Sequence, residues 1–310
     1  MEQRTPDERG LNGDGTIARE GALGLVTPPF RPVVTALRTH LTAAFGPAGG
    51  ACSAADGASG GDGGTSRDGG GSGSSGAGGD GAGRGRLHSA YLYGSIPRGT
   101  AVPGRSDLDV LLALRAEPAP ADRAAADAVE AAIDGAFPQV VGGGILLASA
   151  ATLTSELERH DLGFFVACLC TPLLGEDLAA HLPAYRPTAL LARETNGDLH
   201  LALPGWRARA AAARTDADRR ALTRLVARRV VRTGFTLVMP DWAGWTSDLD
   251  RSAELFARRH PDHAERMRTA AAAGRTPTGD PAVLAMLLDD LGPWLAAEYT
   301  AVHGRKAPRP

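Results

Sequence analysis

Apolar positions along this chain alternate between helical and strand spacing and then settle into helices. Residues 30–45, FRPVVTALRTHLTAAF, place Val33, Leu37, Leu41 and Phe45 three or four apart, which predicts a helix with one buried face. Two short apolar runs follow, Tyr91-Leu92-Tyr93 and Val110-Leu111-Leu112, separated by a Gly-Ser turn, and predict a strand–turn–strand unit. Residues 121–137 return to helical spacing through Ala124, Val129, Ile133 and Phe137. Residues 140–150 predict a third strand, broken by Gly142, Gly143 and Gly144, while 162–174 are buried in a form that periodicity leaves open between strand and helix. Residues 187–205 lack a pattern and predict a connection. Beyond them the chain is helical. A helix over 215–238 opens on Thr215 and Asp216, carries Leu222, Leu225, Val226, Val230 and Val231, and stops at Pro240. Thr246-Ser247-Asp248 caps a second, through Ser252, Leu255, Phe256 and Arg259, which Pro261 interrupts. Asp280-Pro281 opens a last one, with Val283, Leu287, Leu288, Leu291, Trp294 and Leu295 inward. Strands followed by helices predict an α+β fold.

Composition adds bounds to this picture. With 310 residues the chain is long enough for two domains, and its net charge of −2 argues against a general nucleic-acid binder. No apolar run is long enough to span a membrane, and the amino terminus, MEQRTPDERGLNGDG, lacks the apolar core of a signal peptide. The expected location is the cytoplasm. Cys52, Cys168 and Cys170 make no disulfide framework; Cys168-x-Cys170 lacks the partner pair of a metal site and reads as core packing.

Candidate chemistry gathers at residues 91–114, YLYGSIPRGTAVPGRSDLDVLLAL. On a strand, Asp107 and Asp109 share one face while Leu108 and Val110 share the other. Two neighbouring carboxylates repel unless a cation lies between them, and Mg²⁺ uses one or two carboxylates together with substrate phosphates. Gly94 allows close backbone approach to a ligand. Ser95 supplies a hydroxyl and an N–H at an expected helix start, with Pro97 suited to its first turn.

Gly94-Ser95, Arg98-Gly99, Ser106-Asp107 and Asp109 resemble the G-S…S-D-x-D signature of the polymerase-β-like nucleotidyltransferase superfamily. The C-terminal helices resemble, more diffusely, the architecture of its antibiotic-modifying branch, the aminoglycoside nucleotidyltransferase-like proteins. The resemblance implies a mixed sheet flanked by helices and followed by a helical bundle. Residues 1–22 read as a flexible tail, and the resemblance implies a nucleotidyltransferase domain over 23–190 and a helical domain over 191–304. The abrupt Gly/Ser/Ala/Asp composition of 47–86 then reads as a disordered insertion within the first domain. The implied activity is Mg²⁺-dependent transfer of an NMP group from an NTP to an unidentified small-molecule or protein acceptor, with release of pyrophosphate. Asp107 and Asp109 would hold the metal; Gly94, Ser95 and Ser106 would hold the phosphates. Arg98 either adds a phosphate contact or is a solvated surface group.

One departure stands against the pattern. The family places a third carboxylate on the next strand across, and VVGGGILLASA has none; Gly143 or Gly144 occupies its place. The acids downstream are Glu156, Glu158 and Asp161, spaced as a solvated helix face. A nucleotide-binding module or antitoxin-like partner protein with little catalysis is therefore the alternative. Arg224, Arg228 and Arg232, with Arg229 adjacent, form a helix stripe that either meets a triphosphate in the cleft or pairs with Asp216 and Asp218. Trp242 and Trp245 read first as interhelical core, and His260 and His263 have no third ligand for zinc.

Overall fold

The computed structural model describes residues 8–46 and 85–306, so the insertion expected over 47–86, with Cys52, lies outside the described residues except for its last two positions. The fold is α+β. Strands β1 (Leu87–Tyr93), β2 (Ser106–Leu114), β3 (Val140–Ser149) and β4 (Thr171–Gly175) form one mixed sheet in the order β3-β2-β1-β4. β1 is antiparallel to β2 and β4, and β2 is parallel to β3. A parallel pair needs a crossover, which α2 (Pro120–Ala136) supplies.

β2 is covered on both faces. Leu108, Val110, Leu112 and Leu114 pack beneath α2 and α1 (Arg31–Phe45), whose inward residues are Val33, Val34, Leu37, Leu41 and Phe45. Leu111 and Ala113 face the other way, with Tyr91, Leu153, Val166 and Cys170. Burial lifts the Cys168 thiol to about 12 and the Cys170 thiol well above its usual range, in keeping with core packing. In α2 the inward positions are Ala126, Val129 and Ile133; Ala124, expected inward, is exposed. The glycine triplet does not break β3. Between the pairs Ser106–Val140 and Leu108–Gly143, β3 spends one residue more than β2, and Gly142 absorbs the extra residue at φ +75°.

The segment over 162–174 is helix and strand in turn. After α3 (Ala150–Leu153) come α4 (Leu162–Phe164), a π turn at Phe165–Leu169, and β4. The expected connection over 187–205 is instead two helices, α5 (Ala189–Asn196) and α6 (Leu199–Ala212). Leu199 and Leu203 alone are buried on α6, and Pro204 lies inside it, so its hydrophobic pattern is weak and tertiary packing sustains it. α7 (Asp216–Trp242) starts on a Thr215–Asp218 capping box and runs two residues past Pro240 before Ala243 turns left-handed. Leu225, expected inward, is exposed. Asp248 caps α8 (Leu249–Arg259). α9 (Ala264–Arg275) had no counterpart in the pattern because its buried face is largely alanine and glycine: Ala270, Ala271, Ala273 and Gly274, with Met267. Asp280 caps α10 (Pro281–Ala285), which a π turn at Met286–Leu291 joins to α11 (Gly292–His303).

α7 is the central helix, packed by α5, α6, α8, α9 and α11. Its core continues into Phe164, Cys168 and Tyr185, so the helical body draws on residues before position 191. Residues 8–22 are not a loose tail. Ile17 N–H donates to Tyr185 O at 2.7 Å, Glu20 N–H to Cys168 O at 2.9 Å, and Ile17 and Ala18 are buried. Backbone hydrogen bonds, Ile17 and side-chain pairs such as Arg19–Asp177 hold this stretch, none of which leaves a periodic signal. Residues 1–7 lie outside the described residues. Among the described residues no helix is long and apolar enough to cross a membrane.

Candidate functional site

The amino-terminal end of β2 faces α7 across a cleft of about 700 Å³. Gly94, Ser95, Arg98, Ser106, Asp107, Asp109, Arg228 and Arg232 all line it. Residues separated by more than a hundred positions are thus brought together.

Gly94 follows β1 at φ +81°, a conformation that L side chains rarely adopt. A Cβ there would lie 2.5 Å from Asp109 Oδ2, so the turn passes against the carboxylate with no room for a side chain. The helix expected from Ser95 does not form. Residues 95–99 are successive turns, with Gly99 N–H donating to Ile96 O and Thr100 N–H to Ser95 O, both at 3.1 Å. Gly99 at φ +74° leaves the helical region, which ends the run before a second turn can build. The anion-binding potential here is that of turn amides and a hydroxyl, without a helix dipole. Ser106 Oγ accepts from Val102 N–H at 2.9 Å and locks the entry to β2.

In the sheet, Asp109 pairs with Tyr93 on β1 and Gly144 on β3. Gly144 therefore stands at the neighbouring position where the resemblance expects a third acid. A Cβ on Gly144 would meet nothing within 4 Å, so the space for a side chain exists. Burial, and then the charge of Asp107, push the Asp109 carboxyl above its ordinary range; Arg228, Arg232 and Arg224 partly offset this. Burial and Asp109 likewise raise the Tyr93 hydroxyl.

α7 supplies the opposite sign. Arg224 Nη2 donates to Asp107 Oδ2 at 2.7 Å, while its Nε is buried with no partner. Arg228 Nε donates to Gly274 O at 3.0 Å. The Arg232 guanidinium makes no hydrogen bond among the described residues. Its side chain opens onto the cleft, yet protein surrounds that opening, and this enclosure, with Arg228 and Arg229 nearby, lowers its pKa to about 10. Burial and Arg224 also depress Arg228. Asp216 pairs with Arg219 and Arg220 instead, leaving the three-arginine stripe to the cleft.

Arg98 is half-buried and has partners. It pairs with Glu20 Oε2 at 3.3 Å and donates to Ser247 Oγ. Glu20 also accepts from Trp245 Nε1 at 2.9 Å and Ser247 Oγ at 2.6 Å, tying the amino-terminal segment to the Gly-Ser turn and the helical body. Nothing in the pattern of residues 8–22 marked Glu20. Trp245 packs edge-on to Phe164 and Phe235, and Trp242 edge-on to Phe235, so both are core aromatics, with Trp245 reaching the cleft. His260 and His263 stack with Phe256 and Trp294. Asp161 lines the cleft; Glu156 and Glu158 do not.

Among the described residues no group of three or more His, Cys, Asp or Glu is arranged to hold a metal ion. Of the carboxylates that line the cleft, two, Asp107 and Asp109, lie side by side on β2. That number suits Mg²⁺ shared with phosphate oxygens, and it does not suit an all-protein cage. No protein-family model matches this chain, and no curated protein matches it.

Proposed function

We propose that the protein is a Mg²⁺-dependent nucleotidyltransferase of the polymerase-β-like kind, moving an NMP group from an NTP to an acceptor hydroxyl. The observation that carries this reading is the pairing of two adjacent carboxylates, Asp107 and Asp109, with Arg224, Arg228 and Arg232 on the opposite wall of one cleft. Each wall alone is electrostatically unfavourable: burial raises Asp109 and depresses Arg228 and Arg232. A cation against the carboxylates and an anion against the guanidiniums relieve both penalties together, and a metal–triphosphate supplies both.

Asp107 and Asp109 hold the metal, which when bound neutralises triphosphate and leaving-group charge. Gly94 and Ser95 present turn amides and a hydroxyl to the phosphates. Ser106 secures the entry to β2 beside them. Arg228 and Arg232 pair with the phosphate oxygens, and Arg224, with one N–H already unpartnered, exchanges Asp107 for the ligand. Arg98, fixed by Glu20 and Ser247, keeps the turn beside them. The acceptor oxygen bonds to the α-phosphorus as the bond to the β-phosphate oxygen breaks; pyrophosphate leaves and the hydroxyl proton passes to solvent. The two buried free thiols support a reducing, cytoplasmic setting, where NTPs are abundant.

Asp107→Ala and Asp109→Ala are each expected to lower transfer of α-phosphate label by about 100-fold or more. Unchanged labelling would remove the assignment. A second reading, a nucleotide-binding module with little turnover, is favoured by one observation: Gly144 beside Asp109. Calorimetry with Mg·ATP alongside a pyrophosphate assay separates the two, since binding without pyrophosphate release supports the module.

A further inference from the structure

The cleft changes character along α7. Thr236 lies twelve residues beyond Arg224, about 18 Å along the helix axis. Around it the lining is Asp161, Thr195 and Asn196. Specific bonds hold these together: Tyr299 Oη donates to Ala192 O and lies 3.1 Å from Thr236 Oγ1, joining α5 to α7, and Arg229 Nη2 donates to Thr195 O at 3.4 Å.

Lys306 is the only lysine in the chain, and it is 7% exposed. Its ammonium donates to Asp161 Oδ2 and lies 3.8 Å from Asp198 Oδ2, and Asp198 in turn pairs with Arg229. Its backbone N–H donates to Gly197 O at 3.2 Å. A mostly enclosed row of charges thus ends on a carboxylate that faces the cleft. Burying ion pairs is rarely stabilising in itself, so this placement points to a use for the Asp161 carboxylate. Asn196 is 6% exposed, and its one side-chain hydrogen bond is the donation from Nδ2 to Thr195 Oγ1 at 3.4 Å. Among the described residues its carbonyl oxygen accepts nothing.

This end therefore offers hydrogen-bond acceptors, Asp161 and Asn196, in a locally neutral setting. Lys306 and Arg229 balance Asp161 and Asp198, and Arg232 one turn away adds positive charge. Hydroxyl donors suit such a site. Ammonium groups do not, because Arg228 and Arg232 repel them.

We infer that this end of the cleft is the acceptor subsite and that the acceptor is a neutral polyhydroxylated small molecule, a sugar or cyclitol, and not a polyamino sugar. The inference deepens the nucleotidyltransferase reading and rests on it for the word acceptor. Asp161 binds the hydroxyls, and Lys306 is the residue that positions Asp161.

The test is ligand-observed NMR titration of the full chain, with Mg²⁺ and the α,β-methylene analogue of ATP, against glucose, trehalose, myo-inositol and the polyamino sugar neomycin. At least one neutral polyol binds wild type, and neomycin does not. D161N and K306M each weaken that polyol about tenfold while the nucleotide Kd stays within about twofold. A purely structural role for Lys306 would change both affinities or neither. If K306M fails to fold, N196A with D161N carries the test. Neomycin binding above every neutral polyol, no polyol binding, or a D161N affinity equal to wild type overturns the proposal. The nucleotide titration reads the parent assignment separately: polyol binding without nucleotide binding removes nucleotidyl transfer and leaves the polyol site standing.

Discussion

The sheet wall and the helix wall of the cleft carry opposite charges and are built by different means. On the sheet wall, Gly94, Ser106, Asp107 and Asp109 come from one strand–turn–strand unit, and their arrangement follows from strand alternation and a tight turn. On the helix wall, contacts join distant segments: Arg224 meets Asp107 from 117 residues away, and Glu20 meets Trp245 across 225. On the sheet wall the Gly94 turn, at φ +81°, lies directly against the Asp109 carboxylate. The helix wall is made of long side chains with spare donors. Changes to the backbone of the sheet-wall turn should therefore damage folding and ligand binding together, whereas side-chain changes on either wall should act mainly on ligand affinity.

Gly94→Ala is expected to break this contrast most severely. It imposes a left-handed backbone on an L residue and drives a Cβ onto Asp109, at a cost of about 2–4 kcal/mol. Thermal melting should fall by roughly 5–15 °C for a chain of this size, with loss of Mg·ATP binding. A variant that melts like wild type would show that the turn has more freedom than its geometry indicates.

Gly144→Asp sharpens the comparison from the neighbouring strand. Its side chain enters open space beside Asp109, so the fold tolerates it, but a third like charge should destabilise the Mg²⁺-free protein by about 1 kcal/mol. Added Mg²⁺ should raise its melting temperature more than that of wild type, because a ligand held more tightly by the folded state stabilises it more at the same concentration. Equal Mg²⁺ response in both proteins would mean that position 144 does not face the metal site.

The smallest effect is expected from Asp109→Asn. Asp109 has a folded-state pKa raised by burial and by Asp107, so its ionisation opposes folding. Its neutral form is favoured at low pH, and that contribution is lost as pH rises through the raised value. Ligand-free D109N should accordingly melt a few degrees above wild type at pH 7, with the gap closing as pH falls toward the ordinary aspartate range. A gap that widens on acidification would contradict the assigned environment.

Much of this was legible along the chain because it is short-range. The helix over α1, the caps of α7 and α8, and the shared face of Asp107 and Asp109 follow from periodicities of a few residues. The arginine stripe was visible as spacing, but not its direction: Arg224, Arg228 and Arg232 turn to the cleft because Asp216 draws Arg219 and Arg220 away and α9 seats Arg228. α9 escaped notice because alanine and glycine bury without contrast. Glu20 has no local signal because its partners, Arg98, Trp245 and Ser247, lie far along the chain.

By itself, then, the sequence determined the α+β class, the paired carboxylates, the glycine that must precede them and the lack of a third acid in β3. Strand and helix periods, and the singular backbone freedom of glycine, are local properties that any window of the chain displays. Tertiary structure alone decided that Gly144 is Asp109's neighbour, that the amino-terminal segment delivers Glu20, and that Lys306 presents Asp161 to the same cleft. Those outcomes depend on strand register, and on which buried charges can find partners once the helices pack; neither has a period for a sequence to show.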